Sequence, residues 1–242
     1  YRYDVVANKL SVVIPLNTIT DDLHAHSAKA QPFLLSMRYQ QGQFYYEVVD
    51  SANVQQSQLT IYRRSLSQPK SAAQQLLQVG NEAWCDLQHT PGPYTVPGWD
   101  ISPDGGQLVA QMMDGSIQAV RLRDQYTMAL FARVPASVRA HDMQLHWAPD
   151  NQTVVLSDNN VQTQRQPVGP YSASLAYPDT VQTYAPNLAG QVSWRADSAA
   201  FALDNVSVDG TSDSGVQSVY TFLPGEAHGQ ELLPNAYRFS WG

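Results

Sequence analysis

Four stretches of the chain share one pattern at a nearly constant spacing. They are WDISPDGGQLVAQM at 99–112, LHWAPDNQTVVLSD at 145–158, VSWRADSAAFALDN at 192–205 and the closing FSWG at 239–242. Their apolar anchor positions are separated by 46, 47 and 47 residues and fall at Ile101, Trp147, Trp194 and Trp241. Self-similarity at a fixed period indicates one supersecondary unit that recurs along the chain and buries its apolar faces against its neighbours.

Each complete copy has a second apolar position seven residues after its anchor, at Leu108, Val154 and Phe201. A Pro/Ala-Asp-Gly/Asn/Ser turn lies between the two positions, and these residue types favour a tight reversal of the backbone. A weaker copy, LLSMRYQQGQFYYEVV at 34–49, places Met37 at the anchor and Phe44 seven residues later. The 64 residues from Met37 to Ile101 predict an insertion, which we place in NEAWCDLQ and HTPGPYTVPGW.

Each unit reads as four short strands, and Asp114-Gly115 between two β-rich runs is a strong hairpin signal. No amphipathic helix is evident, and SAAQQLLQV at 71–79 fits either a helix or a fourth strand. Four strands in about 40–50 residues are typical of a β-propeller blade. We therefore predict an all-β chain that forms one domain over 1–242, with five blades for the five anchors. The N-terminal hairpin and C-terminal strand are expected to share a blade and close the ring, which removes exposed sheet edges.

The quoted inner strands resemble the WD40-like repeats of TolB-type propellers. WDISPDGGQL is a close match to the SWSPDG-type strand of that family, whereas HWAPDNQTV and SWRADSAAF match it moderately. The resemblance covers 100–242 well and 1–99 weakly. It implies a propeller fold, but that family includes scaffolds, sensor domains and regulatory modules of enzymes, so it implies no single function.

Composition excludes several classes of partner. The net charge is −7 and only three lysines occur, so we expect neither nucleic acid nor an anionic membrane surface as a partner. No apolar run approaches the roughly 20 residues of a membrane-spanning helix. The single cysteine, Cys85, excludes an intrachain disulfide, and no cofactor is expected. A low-charge chain rich in Gln, Ser and Thr favours an extracytoplasmic bacterial location.

Asp150 in HWAPD admits two interpretations. The motif also resembles one of an arabinanase/xylosidase-like family of five-bladed glycoside hydrolases, whose chemistry needs two carboxylates flanking the scissile bond. The partner carboxylates would then be Asp4 and one glutamate, which is Glu47, Glu82 or Glu226. Alternatively Asp150 caps a turn, because it is in register with Asp104 and Asp197 of the neighbouring repeats. We favour the turn.

Two polar segments contain metal-ligand types. DDLHAHSAK at 21–29 carries Asp21, Asp22, His24 and His26, and LDNVSVDGTSDSG at 203–215 carries Asp204, Asp209 and Asp213. Imidazole and carboxylate groups suit zinc, and flexible carboxylate loops suit calcium. The first segment is predicted to be a loop between blades, and the spacing in the second does not match the EF-hand pattern, so we predict solvated loops without a metal.

The loops that lead into the inner strands are the remaining candidate surface, since propellers use such loops for binding. Aromatic and arginine side chains are common anchors of protein interfaces. The candidate binding residues are Tyr94, Trp99, Arg139, His141, Tyr184 and Asn187. With no coherent catalytic set, we expect a non-catalytic propeller that binds a protein or small ligand, as the sensor or scaffold part of a membrane-anchored protein.

Overall fold

A computed structural model describes most of the chain, with gaps between segments. The residues described are 2–4, 9–11, 14–24, 32–50, 57–68, 71–82, 98–112, 114–139, 143–158, 168–205, 218–234 and 241. They form an all-β architecture with two short helices. The chain divides into two compact units, Tyr1–Gly92 and Pro93–Gly242.

Unit 1 contains a two-stranded sheet, one helix and a four-stranded antiparallel sheet. The small sheet pairs β1 (Arg2–Asp4) with β2 (Lys9–Ser11), and helix α1 (Leu16–His24) follows it. The large sheet has the order β3-β4-β5-β6 and is formed by β3 (Pro32–Gln40), β4 (Gln43–Asp50), β5 (Ser57–Ser65) and β6 (Gln74–Glu82). Ile19 of α1 packs with Tyr46, Val48, Tyr62 and Ala73 in the core of this unit.

Unit 2 contains three four-stranded antiparallel sheets, each formed by consecutive strands. The first comprises β7 (Trp99–Ile101), β8 (Gln107–Gln111), β9 (Ile117–Arg121) and β10 (Tyr126–Leu130), and helix α2 (Ala136–Arg139) follows it. The second comprises β11 (Met143–Trp147), β12 (Thr153–Asp158), β13 (Tyr171–Ser174) and β14 (Tyr177–Thr183). The third comprises β15 (Gly190–Trp194), β16 (Phe201–Asn205), β17 (Ser218–Phe222) and β18 (Gln230–Pro234).

The sheets of unit 2 bury apolar residues on facing sides. Val109, Ile117 and Leu130 of the first sheet pack in one cluster with Leu145 and Leu156 of the second. A further cluster joins the second sheet to the third through Val155, Tyr184, Leu188, Phe201, Leu203 and Phe222. Face-to-face packing of successive four-stranded sheets is the arrangement of propeller blades.

The prediction of five four-stranded blades is wrong for the part of the chain that the structure describes. Four four-stranded sheets are present there, the N-terminal hairpin is only two-stranded, and no closed ring is found. The prediction equated the number of anchors with the number of blades. Trp241 does occupy an anchor position, but residues 235–240 before it lie outside the described segments. The expectation of one domain over 1–242 stays a prediction.

Unit 1 departs from the repeat in two further ways. Met37 is 49% exposed whereas Trp147 is 5% exposed, so Met37 is not a buried anchor. A two-residue turn at Gln41-Gly42 pairs Met37 with Tyr46 instead of Phe44.

Two segments of unit 1 have a different or newly assigned secondary structure. Residues 21–24 belong to α1 and not to a loop. Residues 74–79 lie in β6, so the ambiguity at 71–79 is resolved in favour of a strand.

Candidate functional site

The candidate catalytic residue Asp150 uses its carboxylate to hold its own turn. Oδ1 accepts hydrogen bonds from the backbone N–H groups of Gln152 and Thr153, both at 2.8 Å. Oδ2 accepts the hydroxyl of Thr153, also at 2.8 Å. Both oxygens are therefore engaged within three residues of Asp150, in the manner of an Asx turn.

Asp104 and Asp197 make the same local contact in the neighbouring sheets. Oδ1 of Asp104 accepts the N–H of Gly106 at 2.9 Å, and Oδ1 of Asp197 accepts the N–H of Ala199 at 3.0 Å. In all three repeats the acceptor lies two residues before the donor. The register argument from the sequence is thus matched by geometry, and one structural role accounts for the three aspartates.

Asp197 has an additional charged partner. Nε of Arg195 donates to Oδ1 of Asp197 at 2.7 Å. This hydrogen bond, with the one from Ala199, holds the pKa of the Asp197 carboxyl below its usual range. The pair is solvent-exposed, so its contribution to stability is small.

The repeat also links the first and second sheets of unit 2. The backbone N–H of Asp104 donates to Oδ1 of Asn151 at 2.8 Å, which ties one turn to the next. Nearer the anchors, Oδ2 of Asp100 accepts the N–H of Trp147 at 2.9 Å, and the indole Nε1 of Trp147 donates to the carbonyl of Asp100 at 3.3 Å. These hydrogen bonds connect the first sheet of unit 2 to the second.

Trp241 makes the equivalent contact at the other end of unit 2. Its indole Nε1 donates to the carbonyl of Ser193 at 3.1 Å, and the Arg195 guanidinium lies 6.0 Å from its ring centroid. Trp194 differs, because its buried Nε1 has no hydrogen-bond partner among the described residues. The anchor tryptophans thus fill similar positions with different polar contacts.

Two of the carboxylates proposed as partners of Asp150, Glu47 and Glu226, lie in different environments. Glu47 is fully buried, and its Oε2 accepts the hydroxyl of Ser36 at 2.9 Å. Glu226 is exposed in the loop before β18, and its carbonyl accepts Nε2 of Gln182 at 2.8 Å. The side chains of Asp4 and Glu82 lie outside the described residues.

The predicted loop-face residues occupy different environments. Trp99 is 3% exposed in β7 and Tyr184 is 1% exposed, whereas Asn187 is exposed in the connection to β15. Tyr94 and His141 lie outside the described residues, and Arg139 ends α2 with its side chain also outside them. Asn187 is therefore the one member of the set whose described side chain is exposed.

Tyr184 is a core residue. Its ring meets Phe201 and Phe222 edge-on, with centroids 5.2 and 5.5 Å away. Its hydroxyl forms a 2.9 Å hydrogen bond with the hydroxyl of Ser172. Burial raises the pKa of Tyr184, an effect that the bond to Ser172 partly offsets. The adjoining connection is held by Ala185, whose N–H donates to the carbonyl of Ala227 at 2.8 Å.

The metal expectation concerns two segments. Among the described residues no group of three or more His, Cys, Asp or Glu side chains is placed to hold a metal ion. His26, Asp209 and Asp213 lie outside those residues, and the side chain of His24 does too. Asp21 is exposed on α1, but Asp22 is buried, so the two adjacent aspartates have different environments.

Asp22 is the centre of a buried polar cluster that the sequence did not reveal. Its Oδ2 accepts hydrogen bonds from the hydroxyl of Tyr46 and from Nε of Arg64, each at 3.1 Å, and it forms an ion pair with Nη2 of Arg64. Its Oδ1 accepts the backbone N–H of Ala73 at 3.3 Å. Nη1 of Arg64 donates to the carbonyl of Ser71 at 2.7 Å. We call Asp22, Tyr46, Arg64 and the Ala73 amide the Asp22 cluster.

The described structure is similar to solved β-propellers over most of its length. One is the β-propeller domain of the Trilobed protease from Pyrococcus furiosus, at a TM-score of 0.56 and 12% identity over 86% of this chain and 59% of that chain. A second is an oligogalacturonate lyase in complex with manganese, with a TM-score of 0.58 and 11% identity over 96% of this chain and 58% of that chain. A third is the Niastella koreensis GH74 enzyme, with a TM-score of 0.58 and 14% identity over 100% of this chain and 35% of that chain.

These similarities confirm a propeller fold and nothing finer. The chain spans less than two thirds of each of the three proteins. No protein-family model and no curated protein matches the sequence. Among the described residues, neither helix is long and apolar enough to cross a membrane.

Proposed function

We propose that this chain is a non-catalytic β-propeller module that binds a protein or a small ligand. The observation that carries the proposal is the state of Asp150. Its two carboxylate oxygens accept three hydrogen bonds inside its own turn, and the same contact recurs at Asp104 and Asp197. A nucleophile or general acid must instead present its carboxyl group to the substrate.

The repeat family and the location belong to the same proposal. We place the chain with the WD40-like, TolB-type propellers, since the SPDG and APDN turns of that resemblance have matching Asp-capped geometry. We propose an extracytoplasmic location and a sensor or scaffold role in a membrane-anchored protein, for which the low content of charged residues, 14%, is the support. Fractionation of the native host, with an antibody against this chain, tests the location.

A hydrolysis assay tests the absence of catalysis. Purified protein and the D150N variant are incubated with arabinan, xylan and oligogalacturonate, and released reducing or unsaturated ends are measured. We expect no release above buffer from either protein. Activity that is present in the parent and lost in D150N, at an unchanged unfolding temperature, would show that Asp150 is catalytic.

A titration tests binding at the exposed connection. Spectra of ¹⁵N-labelled protein are recorded with short peptides and with oligosaccharides of the same three glycans. The proposal expects saturable shifts for at least one ligand class, centred on connections such as 184–189, which includes the exposed Asn187. N187A is the matched variant, because its side chain is exposed and its loss leaves the Tyr184 core intact. Shifts spread evenly over the surface, without saturation, would contradict a binding site there.

A further inference from the structure

The Asp22 cluster has the chemistry of a carboxylate-binding site that is already filled. Three kinds of donor converge on one carboxylate: the guanidinium of Arg64, the phenol of Tyr46 and the backbone amide of Ala73. Nε and Nη2 of the guanidinium both contact Oδ2, and the Ala73 amide binds Oδ1, so both oxygens of the carboxylate have donors. Donors of these types are what proteins use to hold acidic groups of ligands.

The donors come from the sheet, whereas the carboxylate comes from the helix. Tyr46 lies on β4, Arg64 lies on β5, and Ala73 directly precedes β6. Asp22 is separated from them by 24, 42 and 51 residues. Tyr46 stacks on Tyr62, with ring centroids 5.7 Å apart, so a contact within the sheet helps to hold the phenol in place. The sheet thus preorganises the donors, and the helix supplies their acceptor.

Two described side chains of helix α1, Ile19 and Asp22, fix it to the sheet. Among its described side chains only Ile19 and Asp22 are buried, and Asn17 and Asp21 are exposed. The helix has nine residues, fewer than the roughly 12–15 that an isolated helix needs to be even marginally stable in water. Its position therefore depends on tertiary contacts, and the hydrogen bonds and ion pair of the Asp22 carboxylate are among them.

The same face of the sheet continues beyond the helix as an exposed apolar surface. Met37 is the cross-strand partner of Tyr46, and Tyr39 is the partner of Phe44, so both lie on the face of the cluster. Met37 and Tyr39 are 49% and 61% exposed. A carboxylate with apolar neighbours would meet complementary groups at both positions.

We propose that Arg64, Tyr46 and the Ala73 amide form a binding site for the carboxylate of an acidic peptide, and that Asp22 occupies this site in cis as an intramolecular ligand. Helix α1 then covers the site, and the acidic peptide displaces it when it binds. The proposal stands on the contacts of unit 1 and does not depend on the function proposed above.

Rescue of D22A by a free carboxylate tests the site. Removing the carboxyl group leaves a space of the size of formate, bounded by the same donors. Thermal unfolding is measured in sodium formate and, at equal ionic strength, in sodium chloride. At about 0.2 M we expect formate to raise the unfolding midpoint of D22A by about 3 °C relative to chloride, with saturation.

Three controls make the result specific. D21A removes the neighbouring exposed aspartate from the same helix. For D21A, and likewise for the parent, the unfolding midpoint in formate should equal that in chloride. D22A/R64Q lacks the guanidinium and should lose the formate effect. An equal response of D22A to the two salts would overturn the proposal. If D22A does not fold in chloride, recovery of the folded state in formate supports the site, and failure to recover it overturns the site.

A peptide probe tests the ligand class. Acetyl-Leu-Asp-Leu-amide should stabilise D22A at a lower concentration than formate, because its apolar side chains can contact Met37 and Tyr39. Acetyl-Leu-Asn-Leu-amide is the matched uncharged control and should have no effect. If the two peptides act alike, an acidic peptide is not the ligand.

Discussion

At the residue scale, Asp150 shows how a residue that resembles a catalytic acid serves a turn. Its carboxylate oxygens accept hydrogen bonds from backbone N–H groups that a tight turn leaves without strand partners. The same carboxylate in an enzyme would have to remain available to substrate. The decisive comparison is with Asp104 and Asp197, because a catalytic role has no reason to recur in each repeat.

Replacing Asp150 should therefore cost stability. We expect D150A to lower the free energy of unfolding by about 1 kcal/mol, the usual magnitude for loss of a local side-chain cap. D150N retains the Oδ1 acceptor and should lose less. Urea unfolding measures both variants, and D104A is the matched control in the neighbouring repeat. A neutral D150A beside a destabilised D104A would contradict an equivalent role for the two aspartates.

Tyr46 makes a prediction about alkaline pH. Burial, with the nearby Asp22 carboxylate, raises the pKa of Tyr46 well above its ordinary value of about 10. The unfolded chain therefore loses this proton first as the pH rises. The stability contributed by the neutral phenol is complete below pH 10 and is lost as the pH increases beyond that value.

The Y46F variant isolates this effect. At pH 7 it should be less stable than the parent by about 1–2 kcal/mol, because the hydrogen bond to a carboxylate is lost. Between about pH 10 and 11 the difference should narrow, because ionisation of Tyr46 stabilises the unfolded chain of the parent, and Y46F has no such proton to lose. Urea unfolding across this range measures the gap. A constant difference would mean that Tyr46 is not held neutral by the fold.

At the scale of elements, the anchor tryptophans allow the contribution of packing to stability to be compared with that of hydrogen bonding. Trp147 donates its indole N–H across to Asp100 of the adjacent sheet, whereas the indole N–H of Trp194 has no partner among the described residues. Both rings lie on inner strands, β11 and β15. A Phe substitution removes similar apolar volume from each but a hydrogen bond only from the first.

We expect W147F to be more destabilising than W194F by about 1 kcal/mol. The reason is that W147F removes the indole N–H that donates to the Asp100 carbonyl, while W194F removes a buried N–H that has no acceptor among the described residues. Thermal or urea unfolding of the two variants gives the difference directly. Equal losses would show that the rings contribute by packing alone.

The sequence predicted the elements that depend on local chemistry. The Asp-capped turns and the Asp114-Gly115 hairpin followed from residues next to one another, and the structure contains both. Helix α1 was missed because its stability is not local. Its one buried carboxylate is paired with groups 24 to 51 residues away, and the helical spacing of Leu16, Ile19 and Leu23 extends over only nine residues. The register of β3 with β4 was missed because a two-residue turn replaced the longer turn of the repeat.

At the scale of the whole molecule, anchors were easier to predict than blades. The spacing of 47 residues located Trp241, whose contact with Ser193 matches that of Trp147 with Asp100. An anchor needs one residue, however, whereas a blade needs four paired strands. The candidate surface was the least predictable level, because Tyr184 and Asn187 are three residues apart and only one of them is exposed.

Cooperativity of unfolding tests whether residues 1–242 behave as one domain. Each sheet of a propeller has two faces to bury, so the loss of one sheet exposes apolar surface on its neighbours. We therefore expect a single transition by calorimetry, with equal calorimetric and van't Hoff enthalpies. Y46F in unit 1 and W147F in unit 2 should each move the whole transition to lower temperature. Two transitions, with Y46F moving one and W147F moving the other, would instead mean that Tyr1–Gly92 and Pro93–Gly242 fold independently.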